Sequence, residues 1–231
     1  MRNCIILFRK QIKDTGKNIA LLIQFIMFPL MAVIMENVIR LEDMPEHFFV
    51  GMFAVMHIGM APLNVTTAII SEEKEKNTLK TLLFANIKPT EYLIGIGSYV
   101  FSACMAGAII FDVLGGYRGR EFGFFLLIMA VGVIVSMLIG AVIGIRSKSQ
   151  IAATSVMTPA MMIFAFLPML AMFNDTVAQV ANFAYSRQIQ LMLDEVAAGT
   201  APEPKSLIVI AVSMALATGA FAYTYRRSGL S

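Results

Sequence analysis

Few residues in this chain could do chemistry, and those that could are scattered. His47 and His57 are the only imidazoles, and Cys4 and Cys104 the only thiols. Zinc takes three or four such ligands from clustered positions, so a metal centre is not expected. The sequence holds no G-x-x-x-x-G-K-[ST] phosphate loop, no H-E-x-x-H pair and no G-x-S-x-G elbow. The chain is therefore not expected to hydrolyse ATP by the phosphate-loop route, nor to be an enzyme of those types. No cofactor of its own and no nucleic-acid partner are expected. The densest polar stretch is "SEEKEKN", residues 71–77, with Glu72, Glu73, Lys74, Glu75 and Lys76 in succession.

Long apolar segments must position these groups. The 231 residues are 58% hydrophobic and 14% charged, with a mean hydropathy of +0.76. A soluble domain carries about a quarter charged residues, so this chain lacks the polar cover for water. A bilayer core needs about 20 apolar residues per helix. Runs of that size recur at 19–39, 48–70, 92–114, 122–145, 151–173 and 206–225. The expected fold is all-α, a single transmembrane domain over 1–231 with six transmembrane helices. Cys4 lies in a basic stretch and Cys104 in an apolar one, so no disulfide framework is indicated. The first apolar run lacks the small-residue cleavage site of a signal peptide.

Six spans put both ends of the chain on one side, and Lys and Arg choose it. One face collects Arg2, Arg9, Lys10, Lys13, Lys17, Lys74, Lys76, Lys80, Lys88, Arg146, Lys148, Arg226 and Arg227. The other has Arg40, Arg118, Arg120, Arg187 and Lys205. Thirteen against five makes the first face cytoplasmic.

Residues 1–17 read as an interfacial helix, with Ile5, Phe8 and Ile12 at helical spacing beside Arg9, Lys10 and Lys13. Pro29, Pro62, Pro159 and Pro168 fall inside spans, where neighbouring helices can satisfy the freed carbonyls. Ser136, Gly140 and Gly144 form a small-residue stripe that suits close packing within the bundle. The long connection 174–205 contains a mixed polar and apolar segment around Ile189, Leu193 and Val196. It reads as a re-entrant or surface-lying helix at the external mouth, ended by Gly199 and "APEP". His57 and Asn64 lie inside span two, each either a hydrogen-bonded packing group or a substrate-contacting one. With Gln24 and Met161 they are the polar or adaptable groups placed within otherwise apolar spans, and so the candidates to line a path through the bundle.

The polar stretch continues as "TLKTLLFANIKPTEYLIG", in which Leu79, Leu82, Leu83 and Ile87 recur on one helical face. Glu72, Glu73 and Glu75 precede it, at what reads as the N-terminal end of a short helix where a dipole favours anions. Lys88 and Pro89 close it. An exposed leucine face calls for a protein partner, though a helix on the lipid surface or a solvated loop fits the same periodicity.

Two resemblances bear on this stretch. Glutamate-dependent intramembrane proteases of the prenyl-endopeptidase type carry E-E-x-x-x-R followed by F-x-x-x-H. Here Phe53 and His57 give the second spacing, but Asn77 replaces the arginine, the order is reversed and the third motif is missing. The layout as a whole resembles the ABC-2 type permease family, the membrane subunits of type V ABC transporters. Glu72, Glu73, Glu75, Lys76, Thr78, Leu79, Leu82, Leu83, Pro89, Tyr92, Leu93 and Gly95 match that family's pattern after the second span. Asn77, where glycine is commoner, and Ile87-Lys88 depart from it, and the external segment lacks the proline usual before its tyrosine. The resemblance implies an exporter subunit moving an amphipathic, peptide, drug or lipid-like cargo across the cell membrane. It makes residues 71–90 a cytoplasmic coupling helix, with Glu72, Glu73, Glu75, Thr78, Leu79, Leu82 and Leu83 meeting a separate ATP-binding subunit that holds ATP and Mg. It also implies a second permease, identical or paralogous. A membrane immunity or sensor protein on the same scaffold is the other reading.

Overall fold

The computed structural model describes residues 2–39, 47–78 and 87–227, and the side chains of all of these except Arg2 and Pro89. Every regular element among them is helical. In chain order they are α1 (Arg2–Thr15), α2 (Ile19–Val38), α3 (Phe48–Glu75), α4 (Pro89–Leu114) and α5 (Arg120–Arg146). There follow α6 (Gln150–Leu170), α7 (Asp175–Ala181), α8 (Tyr185–Ala197) and α9 (Pro204–Arg227). Six of these, α2 to α6 and α9, are long and apolar enough to cross a membrane. Each coincides with an expected span to within a few residues. The connection 174–205 holds two short helices, α7 and α8, rather than one.

The bundle is built around α3, which packs against α2, α4, α5, α6 and α8. Two kinds of residue let the helices approach so closely. Along α5 the expected stripe faces α3: a Cβ added at Gly140 would stand 2.5 Å from the Leu63 carbonyl oxygen, and one at Gly144 2.9 Å from Ile70. Hydroxyls then bond across the same seam. Ser136 Oγ donates to the Ile58 carbonyl at 2.6 Å, and Thr67 Oγ1 to the Gly140 carbonyl at 3.0 Å. With little hydrophobic drive between helices in lipid, small residues and interhelical hydrogen bonds are what hold such a seam. The stripe is therefore spent inside one chain.

The end of the bundle at this connection is closed by α8, whose Ile189, Met192, Leu193 and Val196 are buried. It packs on α3, α5, α6 and α9, so it is inserted into the bundle's end rather than laid across it. Tyr185 anchors it by bonding Ser136 at 2.6 Å and lying against Phe164. Within α8, burial pushes the Asp194 carboxyl up to about 6, against the opposing pull of Arg187. Arg187 itself is bonded to Gln190 at 2.6 Å.

Candidate functional site

Helix α3 does not stop where the apolar run stops. It continues through Glu75, so Glu72, Glu73 and Glu75 occupy its last turns. This corrects the sequence expectation that they open a new helix. The dipole at a C-terminal end disfavours anions, so each carboxylate needs a compensating partner, and each has one.

Glu73 is turned inward and only 7% exposed. Its Oε1 accepts from Lys10 Nζ and from Gln11 Nε2, the latter at 3.0 Å, both on α1. The Tyr92 hydroxyl of α4 lies beside the same carboxylate. Glu75 Oε2 accepts from the Gln150 backbone N–H at 2.6 Å, at the first residue of α6. Glu72 pairs with Lys76 at 2.5 Å on the outer surface and holds that ammonium above its ordinary value. Lys74 reaches the opposite way, donating to the carbonyls of Ile145 at 2.5 Å and Ser147 at 2.9 Å, where α5 ends. A cation there satisfies carbonyls that a helix terminus leaves bare and complements the negative end of the dipole. Three consecutive residues, Glu73, Lys74 and Glu75, thus fasten α1, α5 and α6 to the end of α3.

Helix α1 is seated as closely from its other side. Its buried line is Leu7, Gln11 and Thr15, at i, i+4 and i+8. Leu7 is 1% exposed against Gly95 of α4, where an added Cβ would stand 2.8 Å from Leu7 Cβ. Burying a leucine stabilises by about 1.5–3 kcal/mol. Phe8 meets the Tyr99 ring edge-on at 6.0 Å. Asn3 donates to Glu91 at 2.9 Å, and Glu91 accepts also from the Lys88 N–H, capping the start of α4. Ile5, Ile6 and Ile12 remain exposed. The apolar line expected at Ile5, Phe8 and Ile12 is thus divided, with Phe8 turned toward the protein.

Asn77 follows α3 at φ 54°, in the left-handed region. Glycine takes that conformation most readily and asparagine next, which accounts physically for asparagine at this position. Beyond it, Thr78 borders a polar recess of about 370 Å³ shared with Lys17, Glu72 and Lys76. Leu79, Leu82 and Leu83 lie outside the described residues.

The four candidates for lining a path through the bundle lie in different surroundings. His57 is wholly buried, its Nε2 3.2 Å from the Cys104 carbonyl of α4, with Phe28 and Phe111 rings beside it. Gly107 makes room for it, since a Cβ there would stand 3.0 Å from Nε2. Met161 instead packs with Leu63, Ile143 and Met157. Gln24 and Asn64 are half-buried. His57 and Glu73 stand sixteen residues apart on one continuous helix, about 24 Å by its rise. They cannot share a metal or a water, which removes the protease arrangement. No group of three or more metal-ligating side chains occurs among the described residues.

Sequence could not have singled out Glu73, Lys10 and Gln11 as partners. Their separation of more than sixty residues leaves no periodic signal, and only the density of charge at 72–76 marked the place.

A comparison with curated proteins gives no match. The family model described as "ABC-2 family transporter protein" matches residues 46–224, which takes in α3 through nearly all of α9 and both ends of the clasp between α3, α5 and α6. Six membrane-crossing helices and a match over well over half its length make this chain a member of the ABC-2 family of transporter proteins.

Proposed function

We propose that this membrane permease exports an amphipathic, peptide, drug or lipid-like cargo, driven by a separate ATP-binding subunit docked on residues 71–90. The observation that carries the reading is the clasp at the end of α3. A push that arrives at Glu75 meets packed helices. It reaches α1 through Glu73, α5 through Lys74 and α6 through Glu75. Rigid-body movement of packed helices is a recognised route for such switching. The polar recess beside Thr78 gives the same end of the bundle a receptive surface.

In this reading the thirteen-to-five distribution of Lys and Arg sets the clasp, and both ends of the chain, in the cytoplasm of a cell membrane. Helices α2, α6 and α9 are the least buried of the six spans, which leaves surface for a second permease, identical or paralogous. The cargo path then runs along α2, α3 and α6, near Gln24, Asn64 and Met161. His57 acts behind it by holding α3 to α4. ATP and Mg belong to the partner.

A photo-crosslinking residue at Thr78 tests the docking. In cells the expected product joins this chain to a protein bearing a phosphate-binding loop, and ATP turnover changes its yield. Transport with no such crosslink from position 78 or from Lys76 overturns the assignment.

A further inference from the structure

Helices α2 and α4 part along their outer sides and leave a groove of about 580 Å³, a size common for ligand sites. It exists because α4 presents Ala103, Ala106 and Gly107 there. Gly107 must stay bare, with His57 Nε2 and Pro29 Cγ at 3.0 and 3.2 Å from where a Cβ would be. On the open side, Ile26 and Leu30 are exposed. No lining residue is charged, and only Thr15 and Tyr99 bring polar side-chain atoms.

Helix α1 crosses one end of the groove, contributing Ile12 and Gly16. At 100° per residue, Arg9 and Lys13 fall next to those two positions on the helix surface. Both are exposed and form no ion pair among the described residues, whereas Lys10 on the next face is held by Glu73. From Leu22 to Val33 the groove follows α2 for about 16 Å of helical rise. That is the depth of one leaflet of a hydrocarbon core about 30 Å thick.

An uncharged slot one leaflet deep, with two free cations at its interfacial end only, matches an anionic amphiphile. A helix of another protein packed there would leave Arg9 and Lys13 needing acidic partners. We propose that the α2–α4 groove is a specific site for one anionic phospholipid, its acyl chain along α4 and its phosphate at Arg9 and Lys13. The site rests on the chain's place in a membrane and not on the coupling reading.

The chain has no tryptophan, so single reporters can be placed freely. The full chain carrying Ile26→Trp, or Leu22→Trp as a second reporter on the same rim, is reconstituted in phosphatidylcholine vesicles. Leu216→Trp on α9, exposed elsewhere on the surface, is the control. Quenching by acyl-brominated phosphatidylglycerol is compared with quenching by acyl-brominated phosphatidylcholine. A juxtamembrane cation favours anionic lipid by about 1 kcal/mol, roughly fivefold. The groove reporters should prefer phosphatidylglycerol fivefold or more, the control should show a ratio near one, and Arg9→Gln with Lys13→Gln should bring the groove to the control value. Equal ratios at groove and control, or a preference untouched by the double change, overturn the site. So does absence of quenching by either lipid at both groove positions, which would mean that protein covers them.

Discussion

Replacing Glu73 by glutamine keeps its shape and removes its charge, and so isolates what the carboxylate does for α1. The side chain is buried and accepts two hydrogen bonds, one of them from an ammonium. Hydrogen bonds to charged groups contribute about 1.5–3 kcal/mol and neutral ones about 0.5–1.5. Lys10 is about one-third exposed and recovers part of its solvation. The net loss from E73Q is then about 1–2 kcal/mol. Lys10→Met is worse, because it strands a buried carboxylate with only Gln11 and the neighbouring Tyr92 hydroxyl. Breaking a buried pair from one side costs about 3–5 kcal/mol, and the exposure of Lys10 lowers this to about 2–3. The double variant should cost less than the sum, since neither partner is stranded. The loss falls on the seating of α1 and leaves the α3–α5 seam alone, so it belongs to local opening. Amide hydrogen exchange reads it directly, at tenfold in protection per 1.4 kcal/mol. Exchange over residues 5–15 should quicken about five- to thirtyfold in E73Q and more in K10M, with the middle of α3 unchanged. Unaltered protection of α1 in both variants would refute the clasp.

Gly140→Ala puts a methyl 2.5 Å from the backbone oxygen of Leu63, which has no side-chain freedom to retreat. It should destabilise the bundle by about 1–3 kcal/mol in a thermal melt in detergent. Gly219→Ala, with open space around it, should be neutral or gain up to about 1 kcal/mol from helix propensity. Asp194, outside the spans, titrates near 6 in the fold, above its ordinary 3.8. The folded state therefore binds the proton more tightly than the unfolded one, and stability is lost as pH rises from about 4 to about 6 and flat above. Asp194→Asn should flatten that part of the melting-temperature profile. Arg187 and Glu195, which act on the carboxyl in opposite senses, stay in place.

The spans were legible because lipid demands an uninterrupted apolar run of fixed length, a signal written into consecutive residues. Their ends were less so. The apolar run of α3 gives out near Ile70, yet the helix persists to Glu75 because distant groups on α1, α5 and α6 satisfy its charges. Periodicity found α1 but divided its faces wrongly. The buried line includes Gln11 and Thr15, polar residues that a hydrophobic pattern assigns to water. The buried Gln188 and Gln190 of α8 hid that helix's depth of insertion in the same way. Ser136, Gly140 and Gly144 were readable as a packing stripe from spacing alone. Which helix it met was set by the bundle and not by the stripe.

The most direct test of the coupling claim lies just past the clasp, at Leu79, Leu82 and Leu83. Each leucine buried against a partner contributes about 1.5–3 kcal/mol. Changing all three to alanine should weaken the complex with the ATP-binding subunit by several kcal/mol, more than a hundredfold in Kd. The measurement is that Kd for the wild-type and triple-alanine chains, with insertion and α1 protection followed alongside. The expected result is lost ATPase binding and lost transport in a chain that still inserts and keeps α1 seated. Wild-type affinity together with normal transport would show that residues 71–90 are a solvated connector, and would contradict the coupling role.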